Sequence, residues 1–157
     1  MSIDALKSCS LFDGFSDSQL NTLAGLFEGE SLAADDMVFA QDDPADRLYV
    51  LLSGRVAIRF KPHDGDWLTV TEISPGGVFG WSAALGRRSY TSSAQCIESG
   101  QALSLRGADL RRLCETQPET GVVILERLAE VIAERLRSTH EQVVELLRLG
   151  IRSQDAS

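Results

Sequence analysis

The strongest constraint on the fold is a series of short β-rich runs between residues 37 and 105. Their apolar side chains tend to alternate with a period of two, as in strands with one buried face. Turn-forming strings such as Ser53-Gly54 and Ser74-Pro75-Gly76-Gly77 separate the runs and let the chain reverse there. Many short strands at close spacing predict a β-sandwich or barrel within residues 36–106.

Helical patterns flank this β-rich region on both sides. Residues 1–35 are predicted as an N-terminal helical segment, in which Ser16 and Gln19 have the spacing of a capping box. Residues 107–152 are predicted as a short helix followed by a long one. The long helix is expected to begin near Pro118, because proline suits the first helical position. Together these segments make one single domain of 157 residues.

The predicted long helix carries two apolar stripes. One stripe, Ile124, Leu128 and Val131, is short and suits packing against the β-rich region. The other repeats in steps of four and three, which is typical of a helix paired with a second helix. We therefore expect a homodimer formed through the C-terminal helix. The candidate interface residues are Leu125, Ala129, Ile132, Leu136, Thr139, Val143 and Leu146.

Composition argues against several classes of function. The net charge is −8, and residues 1–50 are the acidic part, so direct binding of nucleic acid is not expected. Neither a membrane-spanning run nor a signal-peptide pattern is present in the sequence, which predicts a cytoplasmic protein. Three cysteines without a CxxC pair, and two isolated histidines, predict no metal site. No nucleophile and base pair suggests catalysis, so the chain is expected not to be an enzyme, with no catalytic residue.

Three strings give the chain a family resemblance. Residues 11–16 (LFDGFS), 42–56 (DDPADRLYVLLSGRV) and 75–80 (PGGVFG) are similar to the opening turn, a characteristic hairpin and the glycine-rich turn of cyclic-nucleotide-binding domains. The chain resembles the sensor domains of catabolite-activator-type regulators. The resemblance implies an α+β, mainly β fold: an antiparallel β-jelly-roll with short N-terminal helices and a long C-terminal dimerisation helix. It also implies a cyclic nucleotide as the ligand, and no other cofactor is expected.

The resemblance places a phosphate-binding cassette at residues 76–94. In the family a glutamate of this segment holds the ribose and an arginine pairs with the cyclic phosphate; here Trp81 and Tyr90 stand at those two positions. Either the two aromatic residues stack on a planar ligand or they fill its space. Either Arg87 or Arg88 supplies the missing cation, or both are exposed loop charges. The candidate ligand residues are Phe79, Gly80, Trp81, Ser82, Ala83, Arg87, Arg88, Tyr90, Thr91, Ser92 and Thr139.

Two functions follow from this pattern. The first is a stand-alone sensor that acts as a homodimer and binds a nucleotide or another small anionic or planar molecule between the cassette and the long helix. Because only seven residues follow Gly150, a DNA-reading helix is not expected, and the output is expected to pass to a protein partner. The alternative is a ligand-free protein–protein interaction module on the same fold.

Overall fold

The computed structural model describes residues 3–7, 9–62 and 65–155. Within these ranges, the side chains of residues 3, 10, 138, 139, 142, 143, 146 and 149–155 lie outside the described part. The helices of the described chain are α1 (Ile3–Lys7), α2 (Asp17–Ala24), α3 (Gly107–Thr116) and α4 (Pro118–Asp155). Two short 3₁₀ turns, Ser10–Phe12 and Trp81–Ala83, accompany them.

The strands form two antiparallel four-stranded sheets. One sheet has the order β1-β8-β3-β6 and the other the order β2-β7-β4-β5. This arrangement confirms the predicted antiparallel jelly roll with short N-terminal helices and a long C-terminal helix. The strands are β1 (Glu28–Leu32), β2 (Met37–Phe39), β3 (Arg47–Leu51), β4 (Arg55–Phe60), β5 (Leu68–Ile73), β6 (Val78–Phe79), β7 (Ser93–Glu98) and β8 (Gly100–Arg106).

Strand β1 differs from the sequence prediction, because it lies inside residues 1–35, where only helices were expected. It pairs with β8 along its whole length at the edge of its sheet. None of its five side chains is fully buried. The segment contains one large apolar residue, Leu32, so it lacks the alternation that predicts a strand, and its strand structure comes from backbone pairing with β8.

Strand β3 separates the two cores of the domain. Leu48 and Val50 pack into a core shared with the helices, and Tyr49 and Leu51 pack into the core between the sheets. Successive strand residues point to opposite faces, so β3 is buried on both sides. This double burial explains why its sequence reads as a continuous apolar run rather than an alternating one.

The helices follow their predicted signals closely. Helix α2 is capped by Ser16, whose hydroxyl accepts from the Gln19 backbone N–H at 3.2 Å, and the Gln19 side chain accepts in return from the Ser16 N–H at 3.0 Å. Helix α4 begins at Pro118 as expected.

The two stripes of α4 have different surroundings. Ile124 and Leu128 are buried in the helix-facing core, whereas the side chains of Leu125 and Leu136 are 41% and 63% exposed. Ala129 is exposed and Ile132 is half-buried. The side chains of three other predicted interface residues, Thr139, Val143 and Leu146, lie outside the described residues.

Candidate functional site

Early in the cassette the chain makes a turn at Gly80 that only glycine accommodates well. Gly80 has φ = 75°, in the left-handed region that L side chains rarely adopt. A Cβ atom there would lie 3.0 Å from the Arg47 carbonyl oxygen and 3.2 Å from ring atoms of Phe39 and Tyr49. The following 3₁₀ turn buries Ser82 and Ala83. Gly80 thus brings the cassette backbone against β3.

Tyr90, at the position where the resemblance implies an arginine, points into the domain. Its side chain is only 4% exposed. Its hydroxyl donates to the Arg47 carbonyl at 2.6 Å and accepts from the Arg47 N–H at 3.0 Å. Its ring stacks on Phe39, with centroids 3.7 Å apart. Burial raises the pKa of Tyr90, so the hydroxyl stays protonated near neutral pH.

These hydrogen bonds continue the sheet where β6 stops. Strand β6 is only two residues long, and it pairs with Tyr49 and Val50 but does not reach Arg47. The Tyr90 hydroxyl bonds both backbone groups of Arg47 on that side, as a longer β6 would have done. Tyr90 therefore has a structural role in the sheet, which favours filling of the ligand space over stacking on a planar ligand.

Trp81, at the position of the implied glutamate, is covered by a cation that the sequence analysis missed. The guanidinium carbon of Arg135, on α4, lies 4.6 Å from the Trp81 ring centroid. Its Nη2 donates to the Val78 carbonyl at 3.1 Å, and no described carboxylate pairs with it. Burial lowers the pKa of Arg135, yet a guanidinium remains charged in proteins. Arg135 ties the long helix to the cassette.

The space left between these side chains is small. Its volume is about 60 Å³, enough for roughly two water molecules, whereas ligand pockets usually measure about 300–1,000 Å³. A nucleotide does not fit unless the side chains move. The lining residues are Phe39, Ile58, Phe79, Gly80, Trp81, Ser82, Tyr90, Thr91, Ser92 and Arg135.

The structure brings together most of the predicted ligand residues but not the predicted cations. Arg87 and Arg88 are exposed and do not line the cavity, although they were candidate ligand residues; this favours the second alternative, in which both are exposed loop charges. They follow Gly86, whose φ of 72° is in the left-handed region. Ala83 is buried beside the cavity without lining it, and the Thr139 side chain lies outside the described residues. Arg135 lies one helical turn before Thr139, a predicted ligand residue, and residues at this spacing share one face of a helix. This spacing is the feature of the sequence that could have identified Arg135.

The described residues contain neither a cluster of metal ligands nor a helix that could span a membrane. No group of three or more histidine, cysteine, aspartate or glutamate side chains there is placed to hold a metal ion. No described helix has both the length and the apolar character needed to cross a membrane.

Comparison with known proteins agrees with the fold and the cassette. A family model described as "Cyclic nucleotide-binding domain" matches residues 29–117. The chain is 31% identical over 144 residues to the CRP-like cAMP-activated global transcriptional regulator of Mycobacterium tuberculosis (strain ATCC 25618 / H37Rv). That match covers 92% of this chain and 62% of the regulator, so the chain spans about three fifths of that relative's length.

Two solved structures are similar in shape and sequence. A candidate cyclic nucleotide-binding protein from Geobacter metallireducens GS-15 matches with a TM-score of 0.76 and 29% identity, covering 87% of this chain and 98% of that one. The catabolite activator protein of Thermus thermophilus matches with a TM-score of 0.72 and 25% identity, covering 87% and 62%.

The family model matches more than half of the chain, across the jelly roll and the cassette whose geometry is described above. Members of this family bind cyclic nucleotides such as cAMP, which is the ligand class that membership implies. The chain therefore belongs to the cyclic nucleotide-binding domain family and is a regulatory domain of that family.

Proposed function

We propose that this chain is a non-catalytic regulatory homodimer whose cassette pocket is closed by its own side chains. One observation carries the proposal: Tyr90 and the Arg135–Trp81 pair occupy the pocket and leave about 60 Å³. The output passes through contacts with another protein rather than through a bound cyclic nucleotide. We place the protein in the cytoplasm, because its three cysteines include no CxxC pair and give no disulfide framework.

Opening the pocket costs interactions on both sides of the cavity. Arg135 must leave the Trp81 ring, a contact of about 1–2 kcal/mol when shielded from water. It must also leave the Val78 carbonyl, a charge-assisted hydrogen bond of about 1.5–3 kcal/mol. Together these losses, about 2.5–5 kcal/mol, lower the affinity for a nucleotide by a factor on the order of 10² to several times 10³. Tyr90 would still occupy the place of the implied arginine.

The dimer is supported by an apolar groove between the cassette and α4. The groove has a volume of about 330 Å³, and Leu85, 57% exposed, and Leu136, 63% exposed, are among its lining residues. It runs along the helix stripe that repeats in steps of four and three, so a second copy of α4 is the occupant that fits its chemistry. The lining residues are Ala84, Leu85, Leu125, Leu128, Ala129, Ile132, Ala133 and Leu136.

A second candidate function is a sensor that opens on binding an anion. It is favoured by the Arg135 guanidinium, which lines the cavity together with the hydroxyl-bearing residues Ser82, Thr91 and Ser92. A small anion or a nucleotide phosphate that attracts Arg135 would draw it from Trp81 and release α4 from the cassette.

Calorimetry separates the two candidates. We expect wild-type protein to give no binding heat with cAMP, cGMP or cyclic di-GMP. Binding by the wild type that Arg135→Gln abolishes would establish the sensor and refute the closed pocket. Arg137→Gln is the matched control, because Arg137 lies on the same helix but pairs with Glu134 at the surface.

Sedimentation tests the homodimer. Leu136→Glu should give a monomer, since burying a leucine contributes about 1.5–3 kcal/mol and a twofold interface buries two. Arg148→Glu is the control, because Arg148 is exposed on the same helix but lies about 120° around it from Leu136. Equal behaviour of the two variants, or a monomeric wild type, would rule out a dimer through this stripe.

A further inference from the structure

A second groove, distinct from the cassette pocket, is rich in arginine. It has a volume of about 280 Å³ and lies where the start of β3 meets the start of α3. Its lining contains three guanidinium groups and one carboxylate in a chain whose net charge is −8. We call it the arginine groove; its lining residues are Ala45, Asp46, Arg47, Arg106, Ala108 and Arg111.

Much of the donor capacity of the arginine groove is unused. The exposed Arg106 side chain makes no hydrogen bond or ion pair with the described residues. Arg111 uses one nitrogen, Nη1, which donates to the Ala83 carbonyl at 3.3 Å. Arg47 is held in place, since its Nη1 donates to Glu28 at 3.1 Å and to buried Ser104 at 3.0 Å. One fixed and two available guanidinium groups thus line the same small space.

The backbone at this place adds further donors. Arg106 is the N-cap residue of α3 and makes no capping hydrogen bond with its side chain. The first N–H groups of a helix have no acceptor within the helix, and those of α3 begin at Gly107, beside the groove. The Gly107 N–H itself is bonded to the Asp46 carbonyl at 2.9 Å. The arginines define the candidate site, and the helix start reinforces it.

We propose that the arginine groove binds the phosphate group of a small ligand. Arg47 is already paired with Glu28 and lies 4.0 Å from Glu30. The two available guanidinium groups, Arg106 and Arg111, face the single lining carboxylate of Asp46, so the groove keeps an excess of one positive charge beside the positive end of α3, which favours an anionic phosphate. The planar guanidinium fork bonds two phosphate oxygens at once. The groove volume is close to the lower limit for small-molecule sites, which favours a free phosphorylated compound over a macromolecular surface.

Two contacts connect this groove to the cassette. Arg111 bonds the carbonyl of Ala83, at the end of the cassette's 3₁₀ turn, and the backbone of Arg47 bonds the Tyr90 hydroxyl. A phosphate that attracts Arg111 competes with the Ala83 contact, so its binding acts on the cassette from outside the family's pocket. The proposed site does not depend on the pocket being closed.

Calorimetry with pyrophosphate at constant ionic strength tests the site. We expect wild-type protein to bind, and Arg106→Ala and Arg111→Ala each to bind about tenfold more weakly, the effect of losing one charge-assisted bond. Arg112→Ala is the matched control, because Arg112 is the exposed neighbour on α3 that does not line the groove. Arg135→Gln should bind as wild type, which distinguishes this site from the cassette pocket.

Three results would overturn the proposal: the wild type does not bind pyrophosphate, Arg106→Ala binds it as tightly as the wild type, or Arg112→Ala loses as much affinity as Arg106→Ala. Preferential binding of a poly-glutamate peptide over pyrophosphate would instead assign the groove to an acidic protein. If Arg111→Ala lowers the thermal midpoint because the Ala83 contact is lost, Arg106→Ala alone decides, since its side chain has no bond to lose.

Discussion

Replacing Tyr90 by phenylalanine isolates the hydroxyl that completes the sheet at Arg47. The ring and its stacking on Phe39, at 3.7 Å between centroids, are retained. The variant loses two hydrogen bonds, of 2.6 and 3.0 Å, and leaves the Arg47 N–H and carbonyl without this partner. At about 1 kcal/mol net for each bond, with part of the penalty for unpaired buried groups, the domain loses about 2–3 kcal/mol.

Water is the one compensation the structure offers. The adjoining cavity of about 60 Å³ admits a water molecule that takes over one of the bonds, and the loss then falls to about 1 kcal/mol. For a domain of this size, the corresponding decrease in thermal midpoint is about 2–10 °C. The assay is thermal unfolding at neutral pH and fixed protein concentration, since a dimer's midpoint depends on concentration.

Tyr49→Phe is the matched control for this prediction. Tyr49 is also buried and stacked, with its ring 5.1 Å from that of Phe79, but its hydroxyl makes no hydrogen bond with the described residues. Its replacement should change the midpoint little. An equal decrease in both variants, or no decrease in Tyr90→Phe, would refute the assignment of the Tyr90 hydroxyl to the sheet.

Two further predictions use other features of the same region. Gly80→Ala should destabilise the domain by more than Gly86→Ala in chemical denaturation. Both glycines have a positive φ, which costs alanine about 1–2 kcal/mol, but only at Gly80 does the new Cβ meet neighbours at 3.0–3.2 Å. Equal losses of stability in the two variants would contradict this prediction. Burial raises the pKa of Tyr49 to about 12 from 10.0, so the folded state holds that proton more tightly. The resulting stability is complete below pH 10 and is lost as the pH rises from 10 to 12. At pH 11 the loss is about 1 kcal/mol, measured by urea denaturation as a difference between wild type and Tyr49→Phe; parallel pH profiles would argue against it.

Much of the fold followed from local sequence patterns. Short apolar runs and turn residues predicted the jelly roll, the Ser16–Gln19 spacing predicted the cap of α2, and Pro118 predicted the start of α4. These features depend on residues close together in the chain, so local chemistry specifies them. The resemblance also located the cassette and identified positions 81 and 90 as its two divergent residues.

Only the tertiary structure decided what occupies the site. The bonds from Tyr90 to Arg47 span 43 residues and that from Arg135 to Val78 spans 57, and such distant contacts leave no periodic trace in the sequence. The same is true of β1, which is a strand because β8 lies beside it. The sequence by itself determined the other elements and the two altered positions. The packing of distant side chains decided that Tyr90 points inward and that Arg135, rather than Arg87 or Arg88, lines the cavity, because direction and burial depend on the assembled neighbours.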